Sequence, residues 1–359
     1  MVDNLFREDL KDYESYKVED KGCKVVLDAN ESFLNFPEEL HEQLSQTVKD
    51  ILYNRYPDAY SSKVCDLYLK YIKDFYKVNI NINNQNIIAG NGSDELIQMI
   101  ISAFASEGDN IAIPVPNFSM YKLYGQIAGA VPVEIPLEDD FKTDVNKLSE
   151  KVNALNAKVL FISNPNNPTG TIIDDEDLIR IIEKCNCIVV IDEAYGEFYG
   201  KTFIDKIMNY DNLIVLKTCS KMGLAAIRLG FLLANNKIME EIKKVKPPYN
   251  VNTVTQEIGA LVLKHTDIIK GNINKITAER EYVINELKSI NNIKLYPTYS
   301  NFVLIEIDNA EKIYNDLIKN GISVRYFGKG QLKNCLRITF GNRTENNSLI
   351  SRLKENLNK

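Results

Sequence analysis

The stretch KVLFISNPNNPTGTIIDDEDLIRIIEKCNCIVVIDEAY, residues 158–195, decides the fold. It holds two strand-length apolar runs, 158–163 and 187–191, and each is followed at its carboxyl end by a polar cluster. The runs are almost continuously apolar instead of alternating. That suits strands covered by helices on both faces of a mainly parallel sheet. Outward from here, from about residue 60 to 265, short apolar runs alternate with helical stretches. The sequence predicts strands at 86–89, 110–113, 131–135, 158–163, 187–191, 213–217 and 229–234, with helices between several of them. Val64, Leu67, Tyr68, Tyr71, Ile72 and Phe75 recur at helical spacing, as do Leu96, Ile97, Met99, Ile100, Ile101 and Phe104. Beyond about residue 265 a long polar helix (268–290) leads to a strand at 302–307, a helix, two short strands (323–326 and 336–340) and a last helix. This reads as a smaller α+β domain. The first ~50 residues hold no clear sheet-core strand and are expected to pack on the small domain or a partner subunit. The expected division is an N-terminal arm with part of the small domain (1–52), a large domain (53–265) and a small C-terminal domain (266–359).

Composition narrows the chemistry. The chain has 359 residues, 26% of them charged, and a net charge of −6, which argues against general affinity for nucleic acid or an anionic membrane. No apolar run approaches the ~20 residues of a membrane span. The first residues are charged and lack the apolar core of a secretory signal, so a cytoplasmic location is expected. Six scattered cysteines with no C-x-x-C pair read as reduced thiols. With only two histidines, His41 and His265, zinc sites and serine–histidine–aspartate mechanisms are poor expectations, and no metal is expected. The chemistry falls to lysine, tyrosine, carboxylates or a cofactor.

Four polar clusters fall at expected strand ends, where ligands bind in doubly wound sheets. Residues 89–95 read AGNGSDE. Gly92 lets backbone approach a ligand, and Ser93 or Asp94 opens a helix whose amides suit a phosphate, although a plain helix cap explains this cluster equally well. Residues 163–170 read SNPNNPTG, a rigid loop with more asparagines, Asn167 among them, than a turn needs. Asp192 ends a fully apolar strand, where a lone carboxylate is costly to desolvate and wants a cation. A protonated pyridine nitrogen would serve, with Tyr195 near a phenolate oxygen; a helix-capping aspartate is the common alternative. Lys221 follows the strand at 213–217 in Thr218-Cys219-Ser220-Lys221, with Arg228 further on. A lysine there is poised to form a Schiff base, while Thr218, Ser220 and Arg228 suit a phosphate. One lysine in a lysine-rich chain means little by itself. Together the clusters supply an amine for an aldehyde, a carboxylate for a ring nitrogen, a tyrosine and an asparagine for a ring hydroxyl, and an anion nest. Pyridoxal phosphate needs all of them.

On these motifs the chain resembles the fold-type-I, class I/II pyridoxal-phosphate-dependent aminotransferases, and more narrowly the histidinol-phosphate aminotransferase family. The narrower resemblance rests on residues 27–32 (LDANES), 54–58 (NRYPD), 247–252 (PPYNVN) and 334–339 (NCLRIT). It implies a large domain with a mainly parallel seven-stranded sheet covered by helices, plus a smaller α+β domain. It implies that Lys221 carries the cofactor, Asp192 pairs with the pyridine nitrogen, and Tyr195 and Asn167 contact the ring hydroxyl. Ser93, Asp94, Thr218, Ser220 and Arg228 would surround the phosphate. Tyr56 would reach the phosphate in the neighbouring subunit of a homodimer with shared active sites. Phe118, where the family more usually has tyrosine, would stack on the ring. Arg337, aided by Arg325, would bind the anionic end of the substrate, with Asn30 and Tyr16 nearby. The resemblance implies transfer of an amino group from histidinol phosphate to 2-oxoglutarate in histidine biosynthesis. Three rivals stand beside it: transamination of aromatic or other amino acids, decarboxylation of threonine phosphate, and a binding module without activity.

Overall fold

The structure is a computed structural model that describes residue 7 and residues 21–357. Its strands are β1 (Val25–Val26), β2 (Ile87–Asn91), β3 (Asn110–Val115), β4 (Val131–Pro136), β5 (Val159–Ser163), β6 (Ile188–Asp192), β7 (Leu213–Thr218), β8 (Leu229–Ala234), β9 (Ile293–Leu295), β10 (Phe302–Ile307), β11 (Ile322–Ser323), β12 (Arg325–Tyr326) and β13 (Cys335–Thr339). Its helices are α1 (Glu38–Lys49), α2 (Ser62–Tyr76), α3 (Gly92–Phe104), α4 (Met120–Ile127), α5 (Val145–Ala154), α6 (Asp175–Lys184), α7 (Gly196–Tyr199), α8 (Asn236–Val245), α9 (Thr253–Leu263), α10 (Thr266–Lys288), α11 (Ala310–Lys319) and α12 (Arg343–Leu357).

The seven expected strands form one sheet in the order β2-β8-β7-β6-β5-β3-β4. All run parallel except β8, which is antiparallel to both neighbours. The ten residues 219–228 between β7 and β8 are too few for the crossover helix that a parallel return needs, so the chain doubles back. Strands β5, β7 and β8 are buried throughout, which accounts for their unbroken apolar runs. Edge strand β4 is the least covered of the seven, with Ile135 its one buried position, and carries Pro132 and Pro136, residues tolerated where no further strand must pair. On one face Leu160, Ile162, Val189 and Val215 pack with α2, α5, α6 and α9; on the other Phe161, Val190 and Leu216 pack with α3, α4 and α8. Helix starts are set locally. Asp174 accepts from the Asp177 amide at 2.9 Å and Asn252 from the Thr255 amide at 2.9 Å.

The smaller unit is an antiparallel sheet, β12-β13-β10-β9, with α10, α11 and α12 against it. The N-terminal segment joins this unit. β1 pairs with β11, and Leu27 is buried in the core of the smaller unit, accepting from the Thr339 amide at 2.9 Å. The chain then crosses to the larger unit, where Leu40 of α1 is buried in the larger core.

Candidate active site

Topology brings the four polar clusters to one edge of the large sheet. β2, β5, β6 and β7 share a direction, so residues 91–95, 163–170, 192–195 and 218–221 all leave at the same side. Antiparallel β8 begins there, which delivers Arg228 to that edge as well. The chain order reverses between β3 and β5, the switch point where such sheets open a crevice. A cleft of about 1400 Å³ lies there between the two units. Among the expected residues, Asn30, Ser93, Asp94, Phe118, Asn167, Asp192, Tyr195, Thr218, Ser220, Lys221, Arg228, Arg325 and Arg337 all line it.

At the floor, Asp192 is buried and accepts from the Tyr121 hydroxyl at 2.7 Å and the Ala194 amide at 2.9 Å. Burial pushes its carboxyl above the usual range, and those two donors pull the other way. The Tyr195 hydroxyl accepts from Asn30 Nδ2 at 2.8 Å. Burial raises the phenol of Tyr195, opposed by Arg337 and by the Asn30 bond. Asn30 sits in the left-handed region at φ 55°, fixed by bonds at 3.0 Å between its amide and side chain and the Thr339 hydroxyl, and by Asn301 on its carbonyl at 2.9 Å.

Lys221 stands on the short turn after β7, half-buried, with Nζ 3.2 Å from the Ala29 carbonyl. Burial brings its ammonium down to about 8, and Arg337 and Arg228 add repulsion. At one end of the cleft the Thr218 hydroxyl donates to Ser220 Oγ at 3.0 Å, and Arg228 meets Asp94 at 2.9 Å. Gly92, at φ +74°, opens α3 beside them, and a Cβ there would sit 2.8 Å from Arg228 Nη2. Gly92 is required on both counts. Gly92→Ala is expected to displace Arg228, to destabilise the fold by about 1–3 kcal/mol through left-handed strain, and to weaken any phosphate-bearing ligand; thermal melts and ligand titration check it. At the other end Arg337 donates to Asn167 Oδ1 and to the Asp28 carbonyl, both at 2.6 Å, beneath the Phe302 ring.

Among the expected residues that are described, Gly92 and Tyr56 do not line the cleft of this chain. Tyr56 is 82% exposed and stacks on Tyr249 at 4.8 Å. Tyr16 lies outside the described residues. The motif at 247–252 has a structural use. Asn250 ties the Ala89 carbonyl (3.1 Å) and Glu95 (2.9 Å) together, bracing the loop that opens α3. Sequence reasoning gave no role to Tyr121, Thr339 or Asn301. Thr339 closes the motif at 334–339 and Tyr121 stands three residues after Phe118, and only those positions signalled them. Nothing in the sequence marks Asn301. Among the described residues no cluster could hold a metal ion, and no helix is long and apolar enough to cross a membrane.

Residues 23–353 match the family model "Aminotransferase class I and II". The chain belongs to the class I and II aminotransferases. This aminotransferase is 46% identical over 356 residues to the histidinol-phosphate aminotransferase of Clostridium kluyveri, covering 99% of each chain. It is 42% identical over 358 residues to that of Caldanaerobacter subterraneus, again covering 99% of each. Among solved structures, histidinol-phosphate aminotransferase from Clostridium acetobutylicum superposes with a TM-score of 0.82 at 27% identity, over 93% of this chain and 99% of that one. An L-threonine-O-3-phosphate decarboxylase from Porphyromonas gingivalis superposes at 0.78 with 20% identity, over 93% and 100% of the two chains, a likeness of fold alone.

Proposed function

We propose that this aminotransferase binds pyridoxal phosphate and transfers the amino group of L-histidinol phosphate to 2-oxoglutarate, giving imidazole acetol phosphate and L-glutamate. The observation that carries this reading is the 46% identity to a histidinol-phosphate aminotransferase along 99% of both chains. The donor set fits the cofactor. Lys221, a lysine with a lowered proton affinity, would meet its aldehyde, and Asp192, a buried carboxylate, would meet its ring nitrogen. At the phosphate end the Thr218 and Ser220 hydroxyls and Arg228 line the cleft, and the missing Cβ of Gly92 lets the Arg228 guanidinium come within 2.8 Å of where that carbon would sit.

Pyridoxal phosphate, when bound, supplies the carbonyl that takes up the amino group and a ring that withdraws electrons from the substrate carbon. The protein does the rest. The α3 amides, the Thr218 and Ser220 hydroxyls and Arg228 hold the phosphate. Asp192 holds a proton on the ring nitrogen, and Tyr195 and Asn167 orient the ring hydroxyl. Phe118 covers one ring face. Lys221 Nζ, whose proton affinity burial brings down to about 8, would hold the cofactor aldehyde and, once released, would carry the proton at the substrate carbon. Arg337 binds the anionic end of the donor and of the acceptor, with Arg325 at the mouth. Tyr56 completes the phosphate site of a second subunit, which makes the active unit a cytoplasmic homodimer.

The test is a visible spectrum of the loaded protein before and after L-histidinol phosphate. A band that converts and returns with 2-oxoglutarate supports the reading. A band that ignores this donor and responds to aromatic amino acids replaces the substrate, and release of CO2 replaces the reaction. Arg337→Lys keeps the charge but loses the planar fork now held by Asn167 and the Asp28 carbonyl, and with it the bidentate reach to an anion. It is expected to raise KM for histidinol phosphate by about 10–100-fold with a smaller change in kcat, read from steady-state kinetics.

A further inference from the structure

Asp192 leaves β6 with one carboxylate oxygen already engaged by a side chain that the mechanism has not used. Tyr121, in the first turn of α4, donates its hydroxyl to Oδ2 at 2.7 Å, while Oδ1 takes the Ala194 amide at 2.9 Å. The Tyr121 ring cannot swing away. It is fully buried, stacked on Phe161 of β5 at 4.7 Å and 10°, and met edge-on by Phe118 at 5.6 Å and 86°. Phenylalanine would fill the same apolar slot. A phenol at this depth needs a partner, since an unmade buried hydrogen bond costs about 1–3 kcal/mol, and its partner is the carboxylate.

We propose that Tyr121 is a positioning residue: its hydroxyl fixes the rotation of Asp192 and stabilises the ionised carboxylate, leaving oxygen lone pairs directed at the ring nitrogen of pyridoxal phosphate. The inference rests on the cofactor reading above. Several groups act on Asp192 from the surrounding elements. Burial and Asp94 of α3 favour its neutral form; Lys217 of β7, the Ala194 amide and Tyr121 favour the charged form; Asp192 in turn raises the buried phenol of Tyr195. Removing the Tyr121 donor therefore raises the affinity of the carboxyl for its proton. The carboxyl then takes up that proton at a higher pH, and its pairing with a cationic ring nitrogen is lost earlier on acidification.

The test uses the full-length chain, titrated with pyridoxal phosphate from pH 5 to 9 by absorbance. Tyr121→Phe is expected to raise the cofactor Kd about tenfold near pH 7 and to move the acid limb of binding up by about one pH unit, the size of a hydrogen bond to a charged group. A merely structural tyrosine would lower stability without moving that limb. Unchanged Kd and an unmoved limb overturn the inference. Should Tyr121→Phe not fold, 3-fluorotyrosine placed at position 121 alone, a stronger donor, is expected to move the limb down, and an unmoved limb again overturns it. A wild-type chain that binds no pyridoxal phosphate overturns the cofactor reading and this inference together. Wild-type binding with an indifferent variant overturns this one alone.

Discussion

Lys221→Ala is expected to lower turnover by more than about a thousandfold while leaving the fold intact. Two losses combine. The covalent attachment of cofactor disappears, and so does the base that moves the proton, a contribution of about 10²–10⁴ by itself. The fold should survive because Lys221 is half-buried on a short turn and its one side-chain hydrogen bond is to the Ala29 carbonyl at 3.2 Å. Truncation also removes a cation from beside Arg337 and Arg228, which relieves repulsion. The amine that loses a proton at about pH 8 is the form that attacks a carbonyl. In the wild-type chain the rate of cofactor loading is therefore expected to climb as pH rises through 8, and in the variant this dependence vanishes. Steady-state kinetics, circular dichroism and stopped-flow absorbance read the three outcomes. A variant with a tenth of wild-type turnover would remove Lys221 from the mechanism.

The parts of the fold legible in the sequence are those with local causes. Strands buried on both faces, such as 159–163 and 213–218, must be apolar at every position, so they stand out as unbroken runs. β1 and β11 are two residues long and exist only because they pair across nearly the whole chain, which no local pattern records. The reversal of β8 follows from the length of its connector, and with it the arrival of Arg228 at the cofactor edge. Residues that carry chemistry in clusters at strand ends, such as Asp192 and Lys221, announce themselves by unusual company. Residues that act by bracing another do not. Asn301 and Thr339 hold Asn30 from more than 250 positions away, and Tyr121 reaches Asp192 across 71 positions. Arg337 likewise gains Asn167 from across the cleft and Asp28 from the far N-terminal segment of its own unit, neighbours that no local pattern records.

Asp192→Asn separates stability from activity. The substitution keeps size and shape, and an amide oxygen can still accept from Tyr121 or Ala194. It removes the negative charge. A neutral partner cannot hold a proton on a pyridine nitrogen against its release to solvent, so turnover is expected to fall about 10²–10³-fold, the scale set by removing one fixed electrostatic contact. The unloaded protein should respond in the opposite sense. In the native fold burial lifts the proton affinity of Asp192 above that of an unfolded aspartate. A carboxyl raised in this way stabilises the fold below its unfolded pKa, and that contribution is lost as pH rises through the folded value. As pH rises the wild-type chain takes on the desolvation cost of a buried carboxylate, which its two hydrogen bonds only partly offset, and the asparagine variant does not. The Tm of the unloaded variant is expected to match or exceed wild type at pH 8, and the difference is expected to shrink at pH 4, by differential scanning calorimetry at both. A variant that loses stability equally at both pH values while keeping its turnover would make Asp192 a structural residue and leave the ring nitrogen without its partner.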